Sequence, residues 1–412
     1  MGNNTMIISV DGHAAPPMEA YRPYLEKKFL PAFEEQLAAH ARVSIDFFLF
    51  FDPVVVDPWK KKLYDTGIIN GRWDADLRVK ELAAEGIVAE VLFPDGAPFG
   101  AAGIGHERVY SPPDEQLAGG RAYNRWLADF ISAHPQRFAA QGIVTLCDID
   151  EAVKDVYWCA EHGFRGLVMP GVENDVPKFW DPVYVPFWKA CEETGLVLNF
   201  HGGIGFSPGF GPQIEGVPME VRIRVGTMEF PFMAHRPLWW LLWSGVLERH
   251  PGLTLVFTEQ HSDWVPSVLA KMDHSYQFGK YRDDIKKVVP RLPSEYWKRQ
   301  CYTGSSILSR HDLACRHEIG VNNMMFGADF PHPEGTFTNT THYLQATVGV
   351  NDMPEDETRA FLGGTAARVF RFDVDALAPL VAKTGLDIDT IRTPLPAQFE
   401  SEFTRTDVLR PA

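Results

Sequence analysis

The chain lacks a long apolar segment, an excess of basic residues and closely spaced cysteine pairs. No run reaches the roughly 18 apolar residues of a membrane-spanning helix. The formal net charge is −15, which argues against nucleic acid or an anionic membrane as a partner, because both attract basic patches. The first twenty residues have neither a basic start nor a long apolar stretch, so we expect no signal peptide.

The cysteines are few and do not form a pattern. There are five, an odd number without a CxxC pair, which is typical of free thiols in a reducing compartment. Cys301 falls inside a strand pattern and is interpreted as a packing residue. We therefore expect a cytoplasmic protein whose partner is a small molecule.

Short β-forming runs alternate with longer amphipathic segments along most of the chain. Residues 114–134 have apolar side chains at helical spacing, and another apolar stripe begins at Trp264, with Ser262 as the predicted N-cap. The alternation predicts a (β/α)8 TIM barrel, although an open doubly wound sheet has the same pattern. The eight predicted strands, several of them continuous apolar runs typical of buried parallel strands, are residues 5–11, 87–93, 141–146, 164–169, 196–201, 253–259, 300–304 and 323–329.

The chain is long for one barrel, at 412 residues, and the excess falls in three places. We predict insertions at about residues 14–86, after strand 1, and 203–233, after strand 5. Long loops at the C-terminal ends of strands are more often lids or substrate walls than linkers. Residues 1–372 are then the barrel domain, and residues 373–412 are an extension that packs on the barrel or on a partner subunit.

Four predicted strands end in polar side chains that a strand has no structural reason to carry. In a barrel such ends meet at one face, where barrel enzymes place their chemistry. Residues two apart in a strand project to the same side, which applies to Asp11 with His13 and to Glu259 with His261. The residues concerned are Asp11 and His13 (strand 1), His201 (strand 5), Glu259 and His261 (strand 6), and Asp329 and His332 (strand 8).

Carboxylates and imidazoles that converge in a buried place need a compensating charge, because unpaired buried charge is costly. A divalent cation supplies that charge, and a mixed shell of His and carboxylate ligands suits zinc, iron or manganese. His261 and His332 are the weakest ligand candidates, since either could instead hydrogen-bond to a ligand. Asp95, after the second strand, could reach the same barrel end, but a role in the turn is favoured. Histidines outside the strand ends are predicted to face solvent or cap helices: His106, His134, His162, His250 and His274.

Five motifs, in order from about residue 6 to residue 372, resemble the amidohydrolase superfamily, in the branch that includes aminocarboxymuconate-semialdehyde decarboxylase. They are ISVDGHAAPP, NFHGG, TEQHSDWVPSVLAKMD, MMFGADFPHPEG and AFLGGTAARVFRF. GADFPHPEG and GGTAARVF are the most specific of them. The resemblance implies a metal-dependent barrel enzyme, commonly a dimer, so we expect a homo-oligomer.

The resemblance also implies roles for individual residues. Asp11, His13 and His201 would be metal ligands, and Asp329 would both touch the metal and act as general base. Decarboxylases of the branch usually carry a Gly-His-x-Gly-Glu motif after strand 6, where this chain has Thr-Glu-Gln-His-Ser-Asp. The difference leaves room for Glu259 or His261 to bind metal directly, with one or two ions in the site.

Hydrolysis is the leading functional hypothesis. Metal-activated water would attack the carbonyl of an amide, ester, thioester or lactone, with Asp329 taking the proton. His261 or His332 would stabilise the oxyanion or protonate the leaving group. Aromatic residues of the two insertions would line a pocket for a bulky apolar or aromatic group, or would simply pack the insertions: Phe47, Phe48, Phe206, Phe210, Phe230 and Phe232.

Two alternatives remain open. The first is a metal-dependent nonoxidative decarboxylase or hydratase of an aromatic or unsaturated carboxylate, whose acid group Arg222, Arg224 or Arg236 would clamp. The second is a noncatalytic barrel used for ligand binding or assembly. Release of carbon dioxide, incorporation of labelled water and metal content distinguish these hypotheses.

Overall fold

The computed structural model describes residues 3–40, 53–103, 111–169, 177–202 and 216–403. Its centre is a ring of parallel strands in the order β1, β3, β4, β5, β6, β7, β8, β9, with β2 also paired to β3. The strands are β1 (Ile7–Ser9), β2 (His13–Ala14), β3 (Ile87–Pro94), β4 (Phe138–Ile143), β5 (Gly166–Met169), β6 (Val197–His201), β7 (Leu255–Thr258), β8 (Cys301–Ser305) and β9 (Met324–Phe326).

The first and last strands of the ring meet through backbone hydrogen bonds. The amide of Val10 donates to the carbonyl of Phe326 at 2.8 Å, and the amide of Asp329 donates to the carbonyl of Asp11 at 2.9 Å. An open doubly wound sheet would leave these edges apart. The predicted (β/α)8 TIM barrel is therefore confirmed, as a nearly closed barrel of eight parallel positions in which β1 and β2 share one.

Helices cover the outside of the ring. The α-helices are α1 (Leu30–His40), α2 (Pro53–Leu63), α3 (Ala75–Ala84), α4 (Pro113–Ser132), α5 (Ile149–Glu161), α6 (Val185–Thr194), α7 (Met219–Trp243), α8 (Val246–Arg249), α9 (Trp264–Phe278), α10 (Arg282–Val288), α11 (Pro293–Gln300), α12 (Arg310–Ala314), α13 (Arg316–Ile319), α14 (Thr340–Leu344), α15 (Glu355–Arg359), α16 (Thr365–Val369), α17 (Val374–Thr384) and α18 (Ile388–Arg392). Short 3-10 helices lie at Met18–Tyr24, Lys27–Phe29, Ile68–Arg72, Pro98–Gly103, Pro182–Tyr184, Val321–Asn323 and Ala397–Phe403, and π-helical turns at Gln345–Gly349 and Ala360–Gly364.

Local sequence explains where several helices begin. The carboxylates of Asp74 and Asp148 accept hydrogen bonds from the backbone amides three residues on, at the starts of α3 and α5. The predicted cap of α9 is wrong: Asp263 holds the N-cap position, without a capping hydrogen bond from its side chain. The hydroxyl of Ser262 instead lies 2.8 Å from that of Ser305, on the neighbouring strand β8.

The first insertion packs over one part of the barrel end. Its helix α2 brings the indole of Trp59 to the backbone carbonyl of Pro331, at 2.8 Å. A small apolar cluster surrounds this contact, made of Trp59, Leu63, Ile69, Phe330 and Phe337. The insertion therefore braces the loop that follows β9.

Most of the aromatic residues predicted to line a pocket fall outside the description. Phe47, Phe48, Phe206 and Phe210 lie outside the described residues, and the side chain of Phe230 is not described either. Phe232 is on α7 and is 63% exposed to solvent. Phe232 therefore does not line an enclosed pocket in the described structure.

The described part of the C-terminal extension packs on the barrel. The amide of Thr5, just before β1, donates to the carbonyl of Leu386 at 2.8 Å. The amide of Leu395 donates to the carbonyl of Gln345 at 3.3 Å. Among the described residues, the longest helices are too polar or too short to cross a bilayer.

Candidate metal centre

Five of the predicted site residues lie together at the C-terminal end of the barrel. Nε2 of His201, the last residue of β6, lies 3.2 Å from Asp11 Oδ1 and 3.2 Å from Glu259 Oε2. Nε2 of His13 lies 3.5 Å from Asp11 Oδ1, 3.6 Å from Glu259 Oε2 and 3.3 Å from Asp329 Oδ1. His13 and Asp329 are 316 positions apart in the sequence, yet their donor atoms meet, as expected from the strand ends.

The donor atoms form two overlapping groups. In each group, one ligand atom per residue lies within 4.8 Å of every other. His13 and Glu259 belong to both groups. The first group is Asp11, His13, His201 and Glu259, and the second is His13, Glu259, Asp329 and His332.

Burial and missing partners fit a divalent cation at this cluster. Asp11 and Asp329 are fully buried, and His13 and His201 are nearly so. Among the described residues, Asp11 Oδ2 and Asp329 Oδ2 are buried without a hydrogen-bond partner. Donors about 2.0–2.2 Å from a shared cation lie roughly 3.0–3.6 Å from one another, which matches the measured separations. The residues present therefore fit a divalent metal.

Two of these side chains are carried by a left-handed backbone. Glu259 has φ of 54° and Asp329 has φ of 55°. Non-glycine residues in this region cost about 1 kcal/mol or more, and such positions cluster at functional sites. Each lies just past the end of its strand, where the turn directs the carboxylate toward the histidines.

The electrostatics show how poorly the cluster tolerates its own charge. Burial, reinforced by Asp329 and Asp11 and opposed by His201, raises the pKa of Glu259 to about 8. Burial also opposes ionisation of Asp329, but His332 and His13 outweigh it and lower its pKa to about 2. Without a cation, the cluster thus disfavours ionisation of Glu259 and favours ionisation of Asp329. A cation removes this conflict by stabilising both charged forms.

His332 connects the donor cluster to Asp95 and, through it, to Arg72. Its Nδ1 lies 2.9 Å from Asp329 Oδ1, and its Nε2 lies 3.6 Å from Asp95 Oδ1. Asp95 in turn pairs with Arg72, Oδ2 to Nη2 at 2.6 Å. The carboxylate of Asp95 therefore reaches the barrel end, the less favoured of the two roles that the sequence offered for it. Burial raises the pKa of Asp95, but Arg72 and His332 outweigh this effect and hold it below its usual range.

A buried ion pair supports the first ligand segment, residues 11–13, which carries Asp11 and His13. Arg78 of α3 and Glu90 of β3 are both fully buried and lie 2.8 Å apart, Nη2 to Oε2. Arg78 Nη1 also donates to the backbone carbonyl of His13 at 2.9 Å. Gly12 is required here, since a Cβ would lie 2.0 Å from Glu90 Oε1. Glu90 had a visible signal, a lone carboxylate in the apolar strand IVAEVLF, whereas nothing near Arg78 marks it.

His261 does not join either donor group. Its Nδ1 lies 3.2 Å from Oδ2 of the buried Asp312. The other oxygen of that carboxylate, Oδ1, accepts hydrogen bonds from the amides of Ser262 and Asp263. The parity argument for Glu259 and His261 fails because β7 ends at Thr258 and Glu259 turns left-handed. The catalytic role of His261 stays a prediction.

Other candidates divide between the site and the surface. Glu334, which sequence reasoning missed, follows His332 by two residues, and burial together with Asp329 raises its pKa to about 8. Arg224 is exposed on α7, Arg236 is half-buried, and the side chain of Arg222 is not described. His134 contacts the carboxylate of Asp76, His162 the backbone carbonyl of Trp158, and His250 the carboxylate of Glu192. Cys301 is buried in β8. None of these four residues belongs to either donor group.

Comparison with known proteins adds sequence relatives at low identity. The chain is 23% identical over 309 residues to 2-amino-3-carboxymuconate-6-semialdehyde decarboxylase of Dictyostelium discoideum, covering 73% of this chain and 77% of the relative. It is 24% identical over 325 residues to gamma-resorcylate decarboxylase of a Rhizobium species, covering 72% of this chain and 87% of that protein.

Solved structures share the fold. A 5-carboxyvanillate decarboxylase from Novosphingobium aromaticivorans, complexed with manganese, matches with a TM-score of 0.63 and 18% identity, covering 90% of this chain and 97% of that one. A dihydroxybenzoic acid decarboxylase from a Polaromonas species, with bound manganese and 2-nitroresorcinol, matches with a TM-score of 0.59 and 17% identity over 89% and 97% of the two chains. The family described as Amidohydrolase matches residues 70–372. Since that range is most of the chain and contains His201, Glu259 and Asp329, the protein belongs to the amidohydrolase family.

Proposed function

We propose that the protein is a metal-dependent nonoxidative decarboxylase of an aromatic or unsaturated carboxylate. The observation that carries the proposal is the donor cluster of His13, His201, Asp11, Glu259 and Asp329 in a chain of this family. The names of the relatives support the choice of reaction, since the curated relatives and the manganese-bound neighbours described above are named decarboxylases. Hydrolysis, the leading hypothesis from the sequence, is less well supported.

The first donor group would hold the cation. His13 and His201 offer Nε2 atoms, while Asp11 and Glu259 offer carboxylate oxygens. When bound, a divalent cation supplies positive charge that holds the substrate carboxylate and stabilises negative charge on a neighbouring oxygen. Nδ1 of His201 lies 2.5 Å from the carbonyl of Gly202, so that nitrogen carries the proton and Nε2 is left to act as a ligand.

Asp329 and His332 would supply the proton that replaces the carboxyl group on the substrate carbon. In the reaction the bond from the substrate carbon to the carboxyl group breaks, carbon dioxide leaves, and the carbon takes one proton in its place. Asp329 Oδ1 and His332 Nδ1 are 2.9 Å apart, so they can hold one proton between them. Asp329 also lies 3.3 Å from His13, which places this proton beside the donor cluster.

Release of carbon dioxide tests the proposal directly. Protein stripped of metal and reloaded with Mn²⁺ is incubated with 2,6-dihydroxybenzoate, 5-carboxyvanillate and related acids labelled with ¹³C in the carboxyl group. We expect labelled carbon dioxide and, in D2O, one deuterium on the product carbon. His201→Ala should abolish both signals, whereas His274→Ala should retain them. No carbon dioxide from any of these acids would contradict the proposal.

One observation keeps hydrolysis as a second candidate. Glu259 is one of the donor residues. It lies in a segment where decarboxylases of the branch that this chain resembles have a different motif. A substrate with an ester or lactone carbonyl would then take its new oxygen from water. Entry of ¹⁸O from labelled water into an acid product, without carbon dioxide, identifies that reaction.

A further inference from the structure

His332 is held between two carboxylates from different parts of the chain. Nδ1 faces Asp329 at 2.9 Å and Nε2 faces Asp95 at 3.6 Å. A half-turn of the imidazole about its bond to Cβ would replace both nitrogens with carbon atoms and lose both contacts. The two carboxylates together therefore select one of the two orientations of the ring.

The outer carboxylate is itself anchored. Asp95 comes directly after β3, and its Oδ2 lies 2.6 Å from Nη2 of Arg72, the last residue of the 3-10 helix Ile68–Arg72. The backbone of Arg72 is fixed as well, because its carbonyl accepts a hydrogen bond from the amide of Ala15 at 3.1 Å. Asp95 is thus tied to the insertion on one side and to the barrel on the other.

The orientation of the His332 ring affects the donor cluster, because the ring contacts His13. The His332 ring lies against the His13 ring, with centroids 4.1 Å apart and planes inclined by 31°. Only 13% of the His332 side chain is exposed, and Asp329 is fully buried. A change in the His332 ring therefore alters the surroundings of both His13 and Asp329.

We propose that Asp95, held by Arg72, is a positioning residue that keeps the His332 ring turned with Nδ1 toward Asp329. An ordered His332 ring keeps its Nδ1 beside Asp329 Oδ1 between turnovers, so that the two atoms can exchange a proton. The first insertion thereby acts on the reaction through Arg72, at a distance from the donor cluster. The orientation of the ring is independent of the proposed reaction, while its effect on turnover rests on that proposal.

The ring orientation is tested without substrate. Protein labelled with ¹⁵N in its histidine rings is loaded with diamagnetic Zn²⁺, and the ring signals are assigned with His332→Gln and His134→Gln variants. Asp95→Asn should shift the Nε2 signal of His332 and leave the His134 signals in place. The matched control is Asp76→Asn, which removes the carboxylate 2.7 Å from His134 Nε2 and should do the reverse. An unchanged His332 signal in a folded Asp95→Asn variant would overturn the proposal.

The effect on turnover is tested by a double-mutant cycle. Asp95→Asn should lower kcat about 10- to 100-fold, with KM and the Mn²⁺ dissociation constant changed less than about threefold. In the His332→Gln background Asp95→Asn should cause no further loss, because its action passes through that ring. Arg72→Met should shift the same signal and lower kcat less, which provides a second variant if Asp95→Asn does not fold. Equal losses from Asp95→Asn in both backgrounds would overturn the proposal, and an inactive wild type would refute only the proposed reaction.

Discussion

The buried pair of Arg78 and Glu90 allows a quantitative test of how the first ligand segment is supported. Both side chains are fully buried, and Arg78→Met leaves the Glu90 carboxylate without its partner while keeping most of the apolar volume. Loss of one partner of a buried ion pair costs about 3–5 kcal/mol. The hydrogen bond from Arg78 to the His13 carbonyl is lost as well. We therefore expect the free energy of unfolding to fall by at least about 3 kcal/mol at pH 7.

The pH dependence gives this prediction a sign. Burial raises the pKa of Glu90 to about 7, and Arg78 limits that rise. Without Arg78 the pKa rises further, so the native variant keeps the proton while the unfolded chain loses it above about pH 4.3. The wild type releases this proton near pH 7, so the deficit of the variant grows above pH 7. The growth is up to about 1.4 kcal/mol per pH unit.

Urea unfolding followed by tryptophan fluorescence, between pH 6 and pH 9, measures the effect. The matched control is Arg121→Met, which breaks the partly exposed contacts of Arg121 with Asp155 and Glu151 and should cost under about 1 kcal/mol. Arg78→Met with Glu90→Met should recover much of the loss, because no charge is then left unpaired. An Arg78→Met variant no less stable than Arg121→Met would refute the reasoning.

Two further predictions concern the site. Gly12→Ala should weaken Mn²⁺ binding at least about 10-fold by calorimetry, because the new Cβ would lie 2.0 Å from a buried carboxylate oxygen. The control is Gly71→Ala, whose new Cβ would meet nothing closer than 3.5 Å and should leave Mn²⁺ binding unchanged. A Gly12→Ala protein with wild-type affinity would show that this backbone segment has room to move. His201→Ala and Asp329→Asn should each abolish turnover while His274→Ala keeps it near normal, and equal activity of all three in a metal-loaded assay would remove the site assignment.

The barrel and its donor cluster were accessible from sequence because both depend on simple periodicity. Parallel strands buried on both faces appear as apolar runs, and their C-terminal ends meet wherever the ring closes. Asp11, His13, His201 and Asp329 each stand at such an end, so their meeting needed no knowledge of the loops. Strand limits were less accurate: the predicted 141–146 is Phe138–Ile143 in the structure.

The supporting residues were not accessible, because their roles depend on partners that only the folded chain supplies. Arg72 and Arg78 look like ordinary charged residues of an insertion, and their carboxylate partners come from β3 and the turn after it. The failed pairing of Glu259 with His261 has a backbone cause. A left-handed residue directly after a strand interrupts the alternation on which that prediction depended.

Binding of Mn²⁺ to metal-free protein tests the central claim most directly. Calorimetric titration of the wild type should give at least one tightly bound ion per chain, and a value near two would support Glu259 as a ligand shared by both donor groups. The same titration of a folded His13→Ala/His201→Ala variant should show that tight binding is lost. No tight binding by the wild type, or undiminished binding by the double variant, would contradict the account.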